Sequence, residues 1–424
     1  MLSNTSFSFV AGVLHVALLE ASDDDVTLVT WIGSLYSCMF ALAGPFASIL
    51  INTWGCRICV IASGLLGLVG FSVSSLVVGS RWLFLTYALL AGLGQGLAYT
   101  GSLVNLGYYF RERTSLATCI GILSCGIGNI VLPVLTQALI DSFHLDGAFL
   151  LIGGISFQTC VCGMVMRPSK FERIARENRI ERDTTTNSDA SKLSSAFKRW
   201  TPTWRPLFSN YGFLFFVLSS FWFTVGSSTI KLYLPDFLIT QGASLDHAAL
   251  LVSYIGAGST AARFGLGIAA SDSEIDSAIL FAGVNVITSL ILSFIIQIMQ
   301  SNLGQILFVL AYGCYNGGSW TLFNPITYEL VGIDHLATAL GLVMFTCGVG
   351  YLVGAPAAGW IYQLSGNYYH AFLFSAVAFF VTSICGVLAA TCNQLAVNVH
   401  TKRLQHTVQD IEIVNLGEHE QMLK

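Results

Sequence analysis

The chain is short of charge. Only 10% of its 424 residues are Asp, Glu, Lys or Arg, against about 25% in an ordinary soluble protein. That shortage excludes a solvated globular surface over most of the length. Cationic clusters are missing too, with a single exception in the middle of the chain, so neither nucleic-acid binding nor a general basic surface is indicated. Metal-ligand spacing is absent: one CxxC occurs, Cys56-Arg57-Ile58-Cys59, with no second pair or His at zinc-site spacing. The 11 Cys are odd in number and fall mostly in apolar stretches (Cys38, Cys119, Cys125, Cys160, Cys162, Cys314, Cys347, Cys385), where they read as small apolar fillers and not as a disulfide scaffold. The opening MLSNTSFSFVAGVLHVALLE lacks a basic n-region and a small-residue cleavage site, so it reads as a short membrane segment and not a signal peptide. No nucleophile, base and orienter share a catalytic spacing. Neither an enzyme nor a bound cofactor or metal is expected.

What the chain has is apolar length. Hydrophobic residues make up 54% and the mean hydropathy is +0.71, values of a polytopic membrane protein. The exception is Arg167 to Arg205, which holds 10 of the 19 Lys and Arg against 5 acids. A basic loop of about 40 residues between spans belongs in the cytoplasm, drawn there by anionic lipid and the Lys/Arg bias. It divides the chain into similar lengths, which suggests two bundles: residues 1–166, a linker at 167–209, residues 210–391, and a tail at 392–424.

Spans in the first part are expected at about 7–19, 26–51, 58–78, 82–109, 115–139 and 148–166. The first is short: at 1.5 Å per residue it covers about 20 Å of a core about 30 Å thick. The acidic run Glu20–Asp25 and the turn with Asp141, His144 and Asp146 fit the outer side, and the links at Arg57 and Arg111-Glu112-Arg113 fit the inner side. Spans in the second part are expected at about 211–234, 247–270, 277–298, 303–328, 336–364 and 369–390. Their inner links are acidic (Asp272, Glu274, Asp276; Glu329, Asp334), so orientation there rests on even counting from the linker. The tail reads as polar, with a short helix near Gln405–Val414. The sequon Asn4-Thr5-Ser6 is cytoplasmic in this topology and therefore unused.

Glycine stripes the fourth, fifth and eleventh spans, allowing close helix approach where lipid supplies no hydrophobic drive. Pro45, Pro133, Pro235, Pro325 and Pro356 mark kinks or end points. The polar residues that lipid should exclude are the functional candidates. Arg263 lies deep in an otherwise uncharged span, where a lone guanidinium costs at least about 2.5 kcal/mol; it faces a cavity or partner, or snorkels to the inner interface. Its rigid fork of donors matches a carboxylate. Lys231 lies nearer the outer end of its span, where it either snorkels or lines a path. Asn316, Asn105 and Asn129 are further path-lining candidates or interhelical contacts, with His15, Gln137, Asn285 and Asn324 beside them. Tyr254, Tyr99, Tyr108, Tyr315 and Trp320 either shape a cavity or pack.

Three stretches carry a resemblance: WIGSLYSCMFALAGPFASIL, LTYALLAGLGQGLAYTGSLVNLGYYFRERTSLA and YELVGIDHLATALGLVMFTCGVGYLVGAPAAGWIYQLSGNY. With them the chain resembles the monocarboxylate transporter family within the major facilitator superfamily, over about residues 8–390. The resemblance implies an all-α fold of 12 helices, here with a shortened first helix. It places the protein at the plasma membrane, with the N-terminus, linker and C-terminus cytoplasmic. It also implies alternating access and transport of small monocarboxylates, often with a proton; other members move amino acids, thyroid hormone or creatine-like solutes. Some members require a single-span glycoprotein partner. Two departures stand out. The family's eighth helix places an Asp four residues before the Arg matching Arg263, and here that position is Ser259, which cannot carry a proton but remains a binding or gating candidate. The Gly/Trp-rich opening of the first helix, and the membrane lysine that follows it in proton-coupled members, have no counterpart at the start of this chain; Lys231 does not occupy that position. The expectation is a divergent carrier of a small organic anion or neutral solute, uncoupled from protons. The alternative is a non-transporting receptor or assembly protein on the same fold.

Overall fold

A backbone in lipid must satisfy its own hydrogen bonds, and helices do this segment by segment. A computed structural model describes residues 13–14, 17–18, 26–110, 114–174, 177, 207–241, 245–272 and 275–422, with side chains omitted at 26–30, 34, 129–130, 245–249, 252 and 396–422. The sequon, the acidic run Glu20–Asp25, His15, the 111–113 link, Glu274, most of the basic linker and the Asn129 side chain lie outside the described parts. The described residues are helical, with no strand among them.

The first group of helices precedes the linker. It comprises α1 (Val26–Leu42), α2 (Gly44–Trp54), α3 (Cys56–Leu76), a π-helical turn (Phe84–Ala91) leading into α4 (Gly92–Tyr109), and α5 (Thr114–Val165). The second group follows the linker: α6 (Tyr211–Thr240), α7 (Leu245–Ala269), α8 (Ser277–Ser293), α9 (Ile295–Ile298), α10 (Asn302–Ser365) and α11 (Tyr368–Met422). At 52 and 64 residues, α5 and α10 run about 78 and about 96 Å, more than twice the ~30 Å hydrocarbon core. Each therefore crosses twice, and each is broken where a turn is needed. In α5 the break is His144 at φ 56°, inside the turn expected from Asp141, His144 and Asp146. In α10 it is Gly332 at φ 70° and ψ −178°, a conformation that glycine adopts without a side-chain penalty.

Junctions elsewhere join short pieces into full spans. Pro45 begins α2, yet Ala43 N–H still donates to Met39 O at 3.0 Å and Ala47 N–H to Ala43 O at 2.9 Å. α1 and α2 thus form one apolar rod, Trp31–Trp54. Capping side chains fix the helix starts: Asn210 accepts from Phe213 N–H at 3.1 Å, and Asp276 from Ala278 N–H at 2.9 Å, each filling a donor the first turn leaves open. Of the described residues of the first span, Leu14 and Leu18 are buried among Ile32, Tyr36, Phe71 and Tyr87. The tail differs from expectation. α11 continues through polar sequence to Met422 instead of leaving a short helix at 405–414, and no proline falls after Tyr368 to interrupt it.

Within the first group, Tyr36 stacks on Tyr87 at 4.6 Å and Tyr87 meets Phe149 edge-on at 5.7 Å. Within the second, Phe216, Phe223, Phe281 and Phe323 interlock at 5.6 to 6.0 Å. The groups meet along a seam where α5 packs on α7, and α1, α2 and α4 pack on α10. There Gly44 and Gly341 bring backbones together so closely that a Cβ on either would strike the other's carbonyl, the small-residue contact expected of the glycine-rich spans.

Candidate functional site

Arg263 projects from α7 into this seam and is 8% exposed. Its Nη1 donates to Ile122 O of α5 at 3.2 Å, and its Nε donates to Gly317 O of α10 at 3.4 Å. The side chain therefore turns inward, between the groups, and does not reach for a membrane surface. Beside it, Cys119 Sγ of α5 donates to Arg263 O at 3.1 Å. Cys125 of α5 and Tyr99 of α4 lie close enough for their fields to reach the guanidinium.

Lys231 enters from α6. Its Nζ donates to Tyr351 OH of α10 at 3.1 Å and lies 5.1 Å from the centre of the same ring, so the phenol holds it by a hydrogen bond and a cation–π contact. Lys231 keeps an exposed surface although protein encloses it, and its charge is close enough to repel that of Arg263. Tyr351 in turn neighbours Cys347 on its own helix and Cys38 on α1, which places the pair at the seam. The two cations have no carboxylate partner among the described residues. A guanidinium offers five N–H donors and two are taken up by carbonyls, so Arg263 retains donors for an anion. Around the pair, Ser227 Oγ donates to Asn316 Oδ1 at 2.7 Å, and Phe40 packs on Tyr99 at 5.2 Å.

The other expected residues are placed variously. Asn316 is 5% exposed, adjoining Gly317, which accepts from Arg263. Ser259 is 7% exposed and its Oγ occupies the space where a side chain on Gly317 would sit, so it packs α7 against α10. Tyr254 is not brought to the cluster. It stands nine residues before Arg263, about two and a half turns, on the other face of α7, and is 36% exposed. Asn105 is half-buried on α4, nearer the linker end than Tyr99. Trp320 stacks on Phe323 at 5.0 Å in the aromatic core. Tyr351 and Ser227 were not anticipated; the available signal was a phenol and a hydroxyl set among small residues in glycine-rich spans.

The hydrogen bonds across the seam gather toward the linker side and mid-depth. Asn324 Nδ2 donates to Leu103 O at 3.2 Å and to Thr118 Oγ1 at 2.8 Å, and Asn52 Nδ2 donates to Thr338 Oγ1 at 2.9 Å. Lys231 and Tyr351 lie beyond mid-depth, toward the opposite side. The start of the linker also docks on that closed end: Ser169 Oγ donates to Tyr108 O at 3.0 Å, and Glu172 Oε1 accepts from Cys56 N–H at 2.7 Å at the start of α3.

Comparison with known proteins follows the same outline. The profile of the Major Facilitator Superfamily matches residues 1–348. Monocarboxylate transporter 12 of Rattus norvegicus is 32% identical over 376 residues, covering 85% of this chain and 77% of that protein. Monocarboxylate transporter 14 of Homo sapiens is 27% identical over 443 residues, covering 89% and 84%. Among solved structures, the E. coli fucose:proton symporter FucP aligns with a TM-score of 0.69 at 16% identity, covering 92% of this chain and 97% of that one. The proton:xylose symporter XylE aligns at 0.67 and 14%, covering 92% of each. At such identities the structural likeness concerns the fold.

Proposed function

Because the chain belongs to the major facilitator superfamily, and within it to the monocarboxylate transporter family, we propose that it carries a small organic anion, a monocarboxylate, across the plasma membrane by alternating access. The supporting observation is the pair Arg263 and Lys231, set in one seam without a carboxylate partner among the described residues. A buried cation in lipid is costly unless compensated, and an anionic solute supplies the missing charge. Ser259 stands where the family resemblance expects an acid, so no proton is carried at that position and transport is uncoupled from it.

The mechanism divides the chain into two six-helix units, residues 1–166 and 210–391, that rock about the seam. The basic linker 167–209, the N-terminus and the tail 392–424 lie in the cytoplasm. The inter-group hydrogen bonds toward the linker are the contacts that must part for the cytoplasmic side to open. Delivery to the surface by a single-span glycoprotein, as in some relatives, belongs to the same proposal. The test is uptake of labelled lactate, pyruvate and 3-hydroxybutyrate into liposomes holding the purified full-length chain. Saturable uptake is expected, falling at least tenfold in Arg263→Ala. Absence of saturable flux for every carboxylate, with the protein folded, would overturn the proposal and favour a receptor or assembly role on the same fold.

A further inference from the structure

The two cations of the seam are not equivalent. Arg263 is the more tightly held: its Nη1 and Nε donate to carbonyls on two different helices, one in each group, and only 8% of the residue is exposed. Lys231 is the reverse, exposed and bound to a single neutral phenol. An ammonium has three donors, and one hydrogen bond to Tyr351 leaves two free to turn toward a solute. The phenol also fixes the direction of the ammonium, since hydroxyl and ring contact it together. Lys231 further lies in the part of α6 away from its linker end, apart from the inter-group hydrogen bonds of Asn324 and Asn52.

Resting on the transport proposal above, we propose that Lys231, oriented by Tyr351, forms the anion's first seat, a carboxylate-binding position separate from Arg263. The substrate class it selects is an organic anion with a free carboxylate, since the ammonium has donors to offer and no carboxylate partner among the described residues. Arg263 acts later. Its bond to Ile122 O spans the seam, so that bond must break when the linker side opens, and the freed donors then become available to the bound carboxylate. Lys231 therefore governs capture, while Arg263 governs the passage from one side to the other.

Capture and passage separate in kinetics, because loss of a binding contact raises KM while loss of a step lowers the turnover rate. The measurement is the initial rate of labelled lactate, pyruvate and 3-hydroxybutyrate uptake into liposomes of the purified full-length chain, over a range of concentrations. For any of the three that the wild type carries, Lys231→Ala is expected to raise KM at least tenfold with kcat within about threefold. Lys231→Arg restores KM to within about threefold. Tyr351→Phe, which keeps the ring and removes the hydroxyl, raises KM about threefold. Arg263→Ala lowers kcat instead. Lactamide, the neutral isostere of lactate, competes equally with wild type and Lys231→Ala. Should Lys231→Ala not fold, Lys231→Gln gives the same reading. A KM within twofold of wild type in a folded Lys231→Ala or Lys231→Gln protein overturns this assignment while leaving transport standing. No saturable wild-type flux overturns both.

Discussion

The linker-side and opposite ends of the seam are built from different chemistry. Toward the linker, the helix groups are joined by amide-to-carbonyl and amide-to-hydroxyl hydrogen bonds from Asn324 and Asn52, and by glycines that admit no side chain. Toward the opposite side stand a lysine and a phenol, exposed or half-exposed. The first arrangement is a closed contact whose neutral hydrogen bonds are each worth about 1 kcal/mol, strong enough to hold and weak enough to release. The second presents an ammonium and a phenol, with the Cys38 thiol donating across the groups to Gly348 O at 3.6 Å.

The largest effect should come from filling the tightest contact. A Cβ on Gly44 would meet the Gly341 carbonyl and lie 2.9 Å from Met344 Cβ, closer than van der Waals contact permits. Gly44→Val is expected to cut carboxylate uptake at least tenfold in protein that remains monodisperse by size exclusion; wild-type flux would show that this closure is dispensable. A smaller effect is expected at Asn324. Thr118→Val removes one of the two hydrogen bonds from that amide, about 1 kcal/mol, and shifts the balance toward linker-side opening about fivefold. Cys119, 1% exposed in the seam, reports the shift: its alkylation by N-ethylmaleimide, followed by peptide mass mapping, should quicken about fivefold. An unchanged rate would mean that the bond from Asn324 to Thr118 does not hold this end shut.

The smallest effect lies beside the break in α10, three residues before Gly332. Burial, aided by Asp276, pushes the Glu329 carboxyl up from 4.5 to about 7, against the opposing hydrogen bonds from Ser277; the Ser277 hydroxyl donates at 2.6 Å. A carboxyl whose pKa is raised on folding binds more protons folded than unfolded between those values. Its contribution is therefore fully present below about pH 4.5 and is lost as pH rises through about 7. Thermal unfolding in detergent should show a lower Tm at about pH 8 than at about pH 5.5, with the difference reduced in Glu329→Gln. An equal difference in the variant would remove Glu329 from the pH response.

The contrast between the two ends also explains what could be read before the structure. Spans follow from apolar length, and the breaks at His144 and Gly332 fall where polar residues interrupt it, so the helical order was legible. Arg263 stood out because a lone cation in lipid demands an explanation. Its partners did not, since Ile122 and Gly317 bind it through backbone carbonyls that carry no mark in the residue type. Lys231 and Tyr351 lie 120 positions apart, and only the fold brings an end-of-span lysine to a glycine-flanked tyrosine. Tyr254 was selected by residue type; its spacing of nine from Arg263, counted at 3.6 per turn, already put it on the other face. Polarity alone does not end α11 before Met422, because a helix stops at proline or at a cap and not at polar residues as such.

Counterflow tests the central claim most directly. Liposomes preloaded with unlabelled lactate, pyruvate or 3-hydroxybutyrate and diluted into a trace of the same labelled compound should accumulate label transiently above equilibrium for the compound carried. Arg263→Ala liposomes should show at most a tenth of that overshoot. A folded wild-type protein that gives no overshoot with any of the three would contradict the account of this chain as a monocarboxylate carrier working by alternating access.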